Sequence, residues 1–128
     1  MEKKARVLLA EDNDLVRETI VGGTDAQQYS YRHVKEGLEA LQVIQSETFD
    51  VIILDVGLPG LNGLDVLQKA RDLQLDIAPV IIVTGYPKKV YKERAEKLGA
   101  IAYLTKAPLS LEELIDAIKG ALASVNQS

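Results

Sequence analysis

V-L-L-A-E-D-N-D, residues Val7 to Asp14, is the stretch on which the fold turns. An unbroken apolar run, Val7 to Ala10, gives way to the acids Glu11, Asp12 and Asp14. A strand with one wet face alternates apolar and polar residues, whereas a continuous apolar run marks a strand covered on both faces. V-I-I-L-D-V-G-L-P-G, Val51 to Gly60, repeats the form, with Asp55 at the end of the run and turn residues after it. If the two runs are neighbours in a parallel sheet, at least three carboxylates converge at one edge. Like charges about 4 Å apart repel by roughly 4 kcal/mol at an effective dielectric of about 20. Something positive belongs there.

Working outward, Val80–Val83 and Ala100–Leu104 read as two more buried strands. Tyr29–Val34 alternates, which suits an edge position. The segments between carry helical spacing: Leu38, Leu41 and Ile44 form one stripe, and Leu64, Leu67 and Ala70 another. Leu111, Leu114, Ile115, Ile118 and Leu122 form the clearest, with Ser110 and Glu113 as a capping box at its start. Asp14–Gly22 and Lys88–Leu98 complete the set, with Asp14 as the expected cap of the first helix. Gly22 and Gly23 each cost about 1 kcal/mol in a helix interior, so that helix is expected to be short, frayed or broken. Five strands alternating with five helices imply right-handed crossovers and an open parallel sheet with helices on both faces. Ligands of such sheets sit at the carboxyl ends of the strands, where the strand order switches.

Composition narrows the function classes. The chain has 128 residues, 47% hydrophobic and 27% charged, which fits one domain spanning 1–128. A net charge of −4 argues against a general nucleic-acid surface. The absence of cysteine excludes disulfides, thiolate nucleophiles and thiolate metal sites. No apolar run is long enough for a membrane span or a signal-peptide core, and a cytoplasmic protein is expected.

The residues that follow each strand form a coherent set. The first gives Glu11 and Asp12, the third Asp55, the fourth Thr84 and Gly85, the fifth Thr105 and Lys106. Carboxylate oxygens with waters suit a hard octahedral cation, magnesium above all. A carboxylate beside such an ion can attack phosphorus, while a hydroxyl and an ammonium stabilise charge on the transferred group.

V-L-L-A-E-D-N-D, I-L-D-V-G-L-P-G-L-N-G, I-I-V-T-G and A-Y-L-T-K together resemble the receiver domain of two-component response regulators, over about Arg6 to Leu122. The resemblance implies an α/β, flavodoxin-like, doubly wound five-stranded parallel sheet in order 2-1-3-4-5, with five helices in a three-layer αβα sandwich. It implies Asp55 as phospho-acceptor. Mg2+, or Mn2+ in its place, would be bound by Asp12 and Asp55, by Glu11 mainly through a water, and by the backbone carbonyl of Gly57. Thr84 and Lys106 would contact the phosphoryl group. Tyr103 matches the aromatic switch and Tyr86 a position that shapes access to the phosphoryl group. The signal would be read on the surface of helix 4, strand 5 and helix 5. Implied partners are a histidine kinase or phosphotransfer protein upstream and an effector or output domain downstream, with an activation-dependent homodimer as a further state. Direct nucleic-acid binding, membrane association and a separate enzyme substrate are not implied. Pro59, Gly60 and Gly63 suit a tight loop after Asp55.

One departure stands out. The family places proline directly after the lysine, with a cis bond between them; here the order is Lys106-Ala107-Pro108. A cis bond before alanine costs about 2.5–4 kcal/mol. A trans Lys106–Ala107 bond or a cis bond moved to Ala107–Pro108 is expected, with a slightly displaced ammonium. Two other classes compete. A haloacid-dehalogenase-type phosphatase needs a second acid two residues after the nucleophile, where Gly57 stands. A pseudo-receiver, acting as a phosphorylation-independent interaction module, would lack acceptor or metal ligands. His33, the only histidine, is read as exposed on the second strand and without a catalytic role; Lys88 through Lys97 is read as a solvated helix face.

Overall fold

The computed structural model describes residues 3–126. Strands β1 (Ala5–Ala10), β2 (Tyr29–Val34), β3 (Val51–Leu54), β4 (Val80–Thr84) and β5 (Ala102–Thr105) alternate with helices α1 (Asp14–Gly22), α2 (Gly37–Ser46), α3 (Gly63–Asp72), α4 (Lys88–Lys97) and α5 (Leu111–Asn126). The strands form one parallel sheet in the order β2-β1-β3-β4-β5. This is the flavodoxin-like doubly wound arrangement.

Alternate residues of each strand feed opposite faces. Val7, Leu9 and Ile53 pack with Ile20 of α1 and Leu114 and Ile118 of α5. Leu8, Ala10, Ile52 and Leu54 pack with Ala40 and Val43 of α2, Leu64 and Leu67 of α3 and Ala95 of α4. Because both faces are covered, the central strands are apolar at successive positions. Edge strand β2 pairs only with β1 and keeps the alternating pattern.

Several expectations need correction. The cap of α1 is Asn13, whose side-chain oxygen accepts from the Val16 N–H at 3.0 Å; Asp14 is the first helical residue and pairs with Lys35 at 2.8 Å. Both residue types cap well, and backbone geometry selects the earlier one. Helix α1 is short but intact. It ends at Gly22, and the Gly23 N–H closes it on the Thr19 carbonyl at 2.9 Å. The buried positions of α2 are Gly37, Ala40 and Val43; of the expected stripe, Leu41 and Ile44 pack partly buried against the core, whereas Leu38 is 59% exposed. Small residues there let α2 approach the β3–α3 connection, with the Gly37 N–H bonded to the Pro59 carbonyl. Strand β5 begins at Ala102 because Gly99 (φ 94°) and Ala100 finish the exit from α4. At α5 the Ser110 hydroxyl accepts from the Glu113 N–H at 3.2 Å, the forward half of the expected box. His33 is half-buried, and its imidazole bonds to the backbone of Glu11.

Candidate functional site

The ends of β1 and β3 carry the acids because the ladder runs on to their first loop residues. The Glu11 N–H bonds to the Val34 carbonyl and the Asp55 N–H to the Ala10 carbonyl, each at 3.0 Å. Glu11 and Asp55 therefore continue neighbouring strands with their side chains at one edge. Carboxylate oxygens of Glu11, Asp12 and Asp55 lie within 4.8 Å of one another. Glu11 is 1% and Asp55 4% exposed, while Asp12 faces solvent.

The missing positive charge is Lys106. Its Nζ lies 2.8 Å from Asp55 Oδ2 and 2.8 Å from Glu11 Oε1. Two β-end contacts aim it there: Thr84 and Thr105 are level across β4 and β5, and the Lys106 N–H bonds to the Thr84 carbonyl at 2.9 Å. The extra residue before the proline leaves this reach intact. The cis bond is Ala107–Pro108, and the ammonium is on the acids rather than displaced from them.

The charges of the pair respond differently to the same setting. Burial pushes the Glu11 carboxyl up, and its bonds to Lys106 and the Asn13 N–H offset only part of that. Burial alone would lower the Lys106 ammonium, but its bonds to Asp55 and Glu11 outweigh burial and hold it above its ordinary value. The cation shared by two carboxylates keeps its proton firmly, while at Glu11 desolvation outweighs the pairing with Lys106.

The loop after Asp55 is shaped by glycine. Gly60 adopts φ 75°, and a Cβ at Gly63 would fall on the Asp55 carbonyl, so α3 can start only this close to the site with no side chain. The Gly57 N–H donates to Asp55 Oδ1 at 3.1 Å. A Cβ at Gly57 would stand 3.7 Å from the Tyr86 ring and 3.8 Å from the Asp55 carboxylate, so Tyr86 borders the acceptor. Tyr86 meets Tyr91 edge-on with centroids 5.1 Å apart. Thr84 is fully buried, and its hydroxyl faces the Tyr86 N–H at 3.4 Å. Tyr103 is buried with its ring inward, and its hydroxyl donates to the Tyr86 carbonyl at 2.9 Å. Glu11, Asp12, Asp55, Gly57, Tyr86 and Lys106 thus come together, with Thr84 and Tyr103 joined through the Tyr86 backbone. The residue that sequence reasoning missed is His33; its alternating strand gave no sign that its partner is a backbone carbonyl.

Three carboxylates offering oxygens within 4.8 Å of one another are the hard donors that suit a magnesium ion, which binds one or two carboxylates directly and keeps several waters. The acid and ammonium cluster thus lies at the carboxyl edge of a doubly wound sheet, where the strand order switches and ligands of such sheets bind. The chain belongs to the response regulator receiver domain family, whose model matches residues 7–119. It is 34% identical over 117 residues to the polar-differentiation response regulator DivK of Brucella ovis, covering 91% of this chain and 94% of that one. It is 33% identical over 119 residues to the transcriptional regulatory protein PdtaR of Mycobacterium tuberculosis, covering 92% of this chain but 57% of that protein. The chain therefore spans little more than half the length of PdtaR. Among solved structures, the receiver domain of Francisella response regulator 1452 superposes with a TM-score of 0.86 at 29% identity, covering 95% of this chain and 99% of that one. No helix among the described residues is long and apolar enough to cross a membrane.

Proposed function

We propose that the chain is a phospho-switch that accepts a phosphoryl group on Asp55 from the phosphohistidine of a kinase or phosphotransfer protein. The observation that carries this reading is the buried Asp55 carboxylate, held 2.8 Å from the Lys106 ammonium within a cluster of three acids. An Asp55 carboxylate oxygen attacks phosphorus. A new O–P bond forms as the donor's P–N bond breaks, and the electron pair returns to the imidazole nitrogen. Asp12, Asp55, the Gly57 carbonyl and, through water, Glu11 would hold Mg2+, which supplies charge neutralisation on the transferring oxygens. Lys106 moves its hydrogen bond from the Asp55 carboxylate to a phosphoryl oxygen, and the Thr84 hydroxyl donates to another. Tyr86 limits the approach of water.

The switch then follows from the loop after β4. Thr84 ends β4; Gly85, Tyr86 and Pro87 follow it directly, and the Tyr103 hydroxyl is bonded to the backbone of Tyr86 and Pro87. A shift of Thr84 toward the phosphoryl group moves the acceptor of the Tyr103 hydroxyl. The change reaches the surface of α4, β5 and α5, where a downstream partner or output domain reads it.

The test is incubation with acetyl phosphate or phosphoramidate, with and without magnesium, read by intact mass, with Asp55→Asn as control. A magnesium-dependent gain of one phosphoryl group, absent in the variant, supports the reading. No gain in the wild type makes the domain a phosphorylation-independent interaction module.

A further inference from the structure

The backbone of Glu11 is gripped from edge strand β2 at both of its polar groups. Its N–H bonds to the Val34 carbonyl at 3.0 Å, which continues the β1–β2 ladder by one step. A further step would need a β2 backbone N–H opposite the Glu11 carbonyl. The chain instead turns into α2 at Gly37. The His33 imidazole takes that place, with Nε2 at 2.8 Å from the Glu11 carbonyl oxygen. A carbonyl has no hydrogen to give, so Nε2–H is the donor.

We infer that His33 is a positioning residue for the metal-binding acids, acting through the Glu11–Asp12 peptide. This rests on the reading of Glu11 and Asp12 as metal ligands. The peptide is planar, so fixing the Glu11 carbonyl also fixes the direction of the Asp12 N–H and narrows the course of the chain into Asp12. The other anchors of this loop leave that peptide plane free. Glu11 Oε2 accepts from the Asn13 N–H at 3.0 Å, and the Asn13 side chain caps α1. Those two bonds fix the Glu11 side chain and the start of the helix. Asp12 itself is exposed, and among the hydrogen bonds described its carboxylate has no protein donor to orient it. Its aim at the site depends on its backbone, and His33 holds the peptide just before it. Because the contact runs from a half-buried side chain to a main-chain atom, it leaves no trace in the acid motif itself.

The experiment is titration of the full chain with magnesium chloride, followed by backbone amide NMR shifts, in the wild type, His33→Phe and His33→Gln. Phenylalanine keeps the ring and loses the donor; glutamine restores an amide donor at a similar reach. The expected result is a magnesium Kd roughly three- to tenfold weaker for H33F, the range of one lost hydrogen bond, with recovery in H33Q. Thermal midpoints are measured alongside. An H33F protein with a lowered midpoint and an unchanged Kd gives His33 a purely structural role and overturns the inference. So does an H33Q protein that binds magnesium no better than H33F. A wild type whose amides near Glu11, Asp12 and Asp55 do not respond to magnesium overturns the metal reading itself, a result distinct from either.

Discussion

At the scale of single residues the site is a problem in charge. Three carboxylates gather at one edge, two of them buried, and Lys106 is the ammonium placed between those two. Removing it leaves like charges facing one another. Lys106→Ala is predicted to destabilise the fold by about 2 kcal/mol in metal-free buffer, less than the roughly 3–5 kcal/mol of a fully buried pair because the ammonium keeps some exposure. Added magnesium should recover much of this loss, because an ion that binds the folded state alone stabilises it by mass action. Urea unfolding of wild type and variant, with and without magnesium, checks both statements. The lysine's raised pKa fixes the alkaline behaviour. Its contribution is fully present below 10.5, the ordinary lysine value, and is lost as pH rises through the higher folded value. The acids and the lysine were legible in the sequence because each ends or closely follows an apolar strand. His33 was not, because its partner is a main-chain oxygen, and only the fold decides which carbonyl lies opposite an edge-strand side chain.

At the scale of elements, close approach and terminal chemistry decide the outcome. Gly63 begins α3 against the Asp55 carbonyl, so Gly63→Ala should cost about 1–3 kcal/mol by overpacking, and it should shift the Asp55 loop. Gly120 lies within α5 with open space where a Cβ would go. Gly120→Ala should therefore stabilise the protein by about 0.5–1 kcal/mol through helix propensity. Denaturant midpoints of the two variants move in opposite directions on this account. Away from the site, Glu47 accepts from Arg6 at 2.9 Å and Arg32 at 3.2 Å, tying the end of α2 to β1 and β2. Those bonds hold its carboxyl below the ordinary 4.5. Its stabilisation is present above that value and disappears as pH falls through the lower folded one, so Glu47→Gln should flatten the acid limb of the stability profile. Element types were readable from periodicity, but contact faces were less so. In α2 the expected stripe of Leu38, Leu41 and Ile44 holds for Leu41 and Ile44, which pack against the core, but not for the exposed Leu38, and the buried positions are Gly37, Ala40 and Val43. Small residues let the helix come close, and a scale that ranks apolar side chains by size undervalues them. Asn13 and Asp14 posed the same difficulty, since both caps are good by type and only dihedral angles choose between them.

At the scale of the whole molecule, the sheet order brings acids, hydroxyl and ammonium to one edge from β1, β3, β4 and β5, and the proposed function requires a signal to leave that edge. Under the proposed function the route runs from Thr84 through the Tyr86 backbone to Tyr103, which hydrogen bonds join. Tyr103→Phe removes one hydrogen bond, a loss of about 1 kcal/mol, and leaves the acceptor chemistry alone. It is predicted to phosphorylate at the wild-type rate while the amide shifts of α4 on phosphorylation shrink. Equal α4 shifts in both proteins would remove Tyr103 from the path. The open parallel sheet and this edge were legible because uninterrupted apolar runs are each followed by a polar group, whereas the strand order came only with the family resemblance. The tether to Tyr86 was not, since it joins a side chain to a loop backbone. The central claim is the identity of the acceptor. The most direct measurement is to phosphorylate the protein with a small phosphodonor in magnesium, reduce the acyl phosphate with borohydride, and locate the resulting homoserine by peptide mass spectrometry. The account predicts homoserine at position 55 alone. Homoserine at another aspartate, or phosphoryl transfer that leaves Asp55 unreduced, would contradict it.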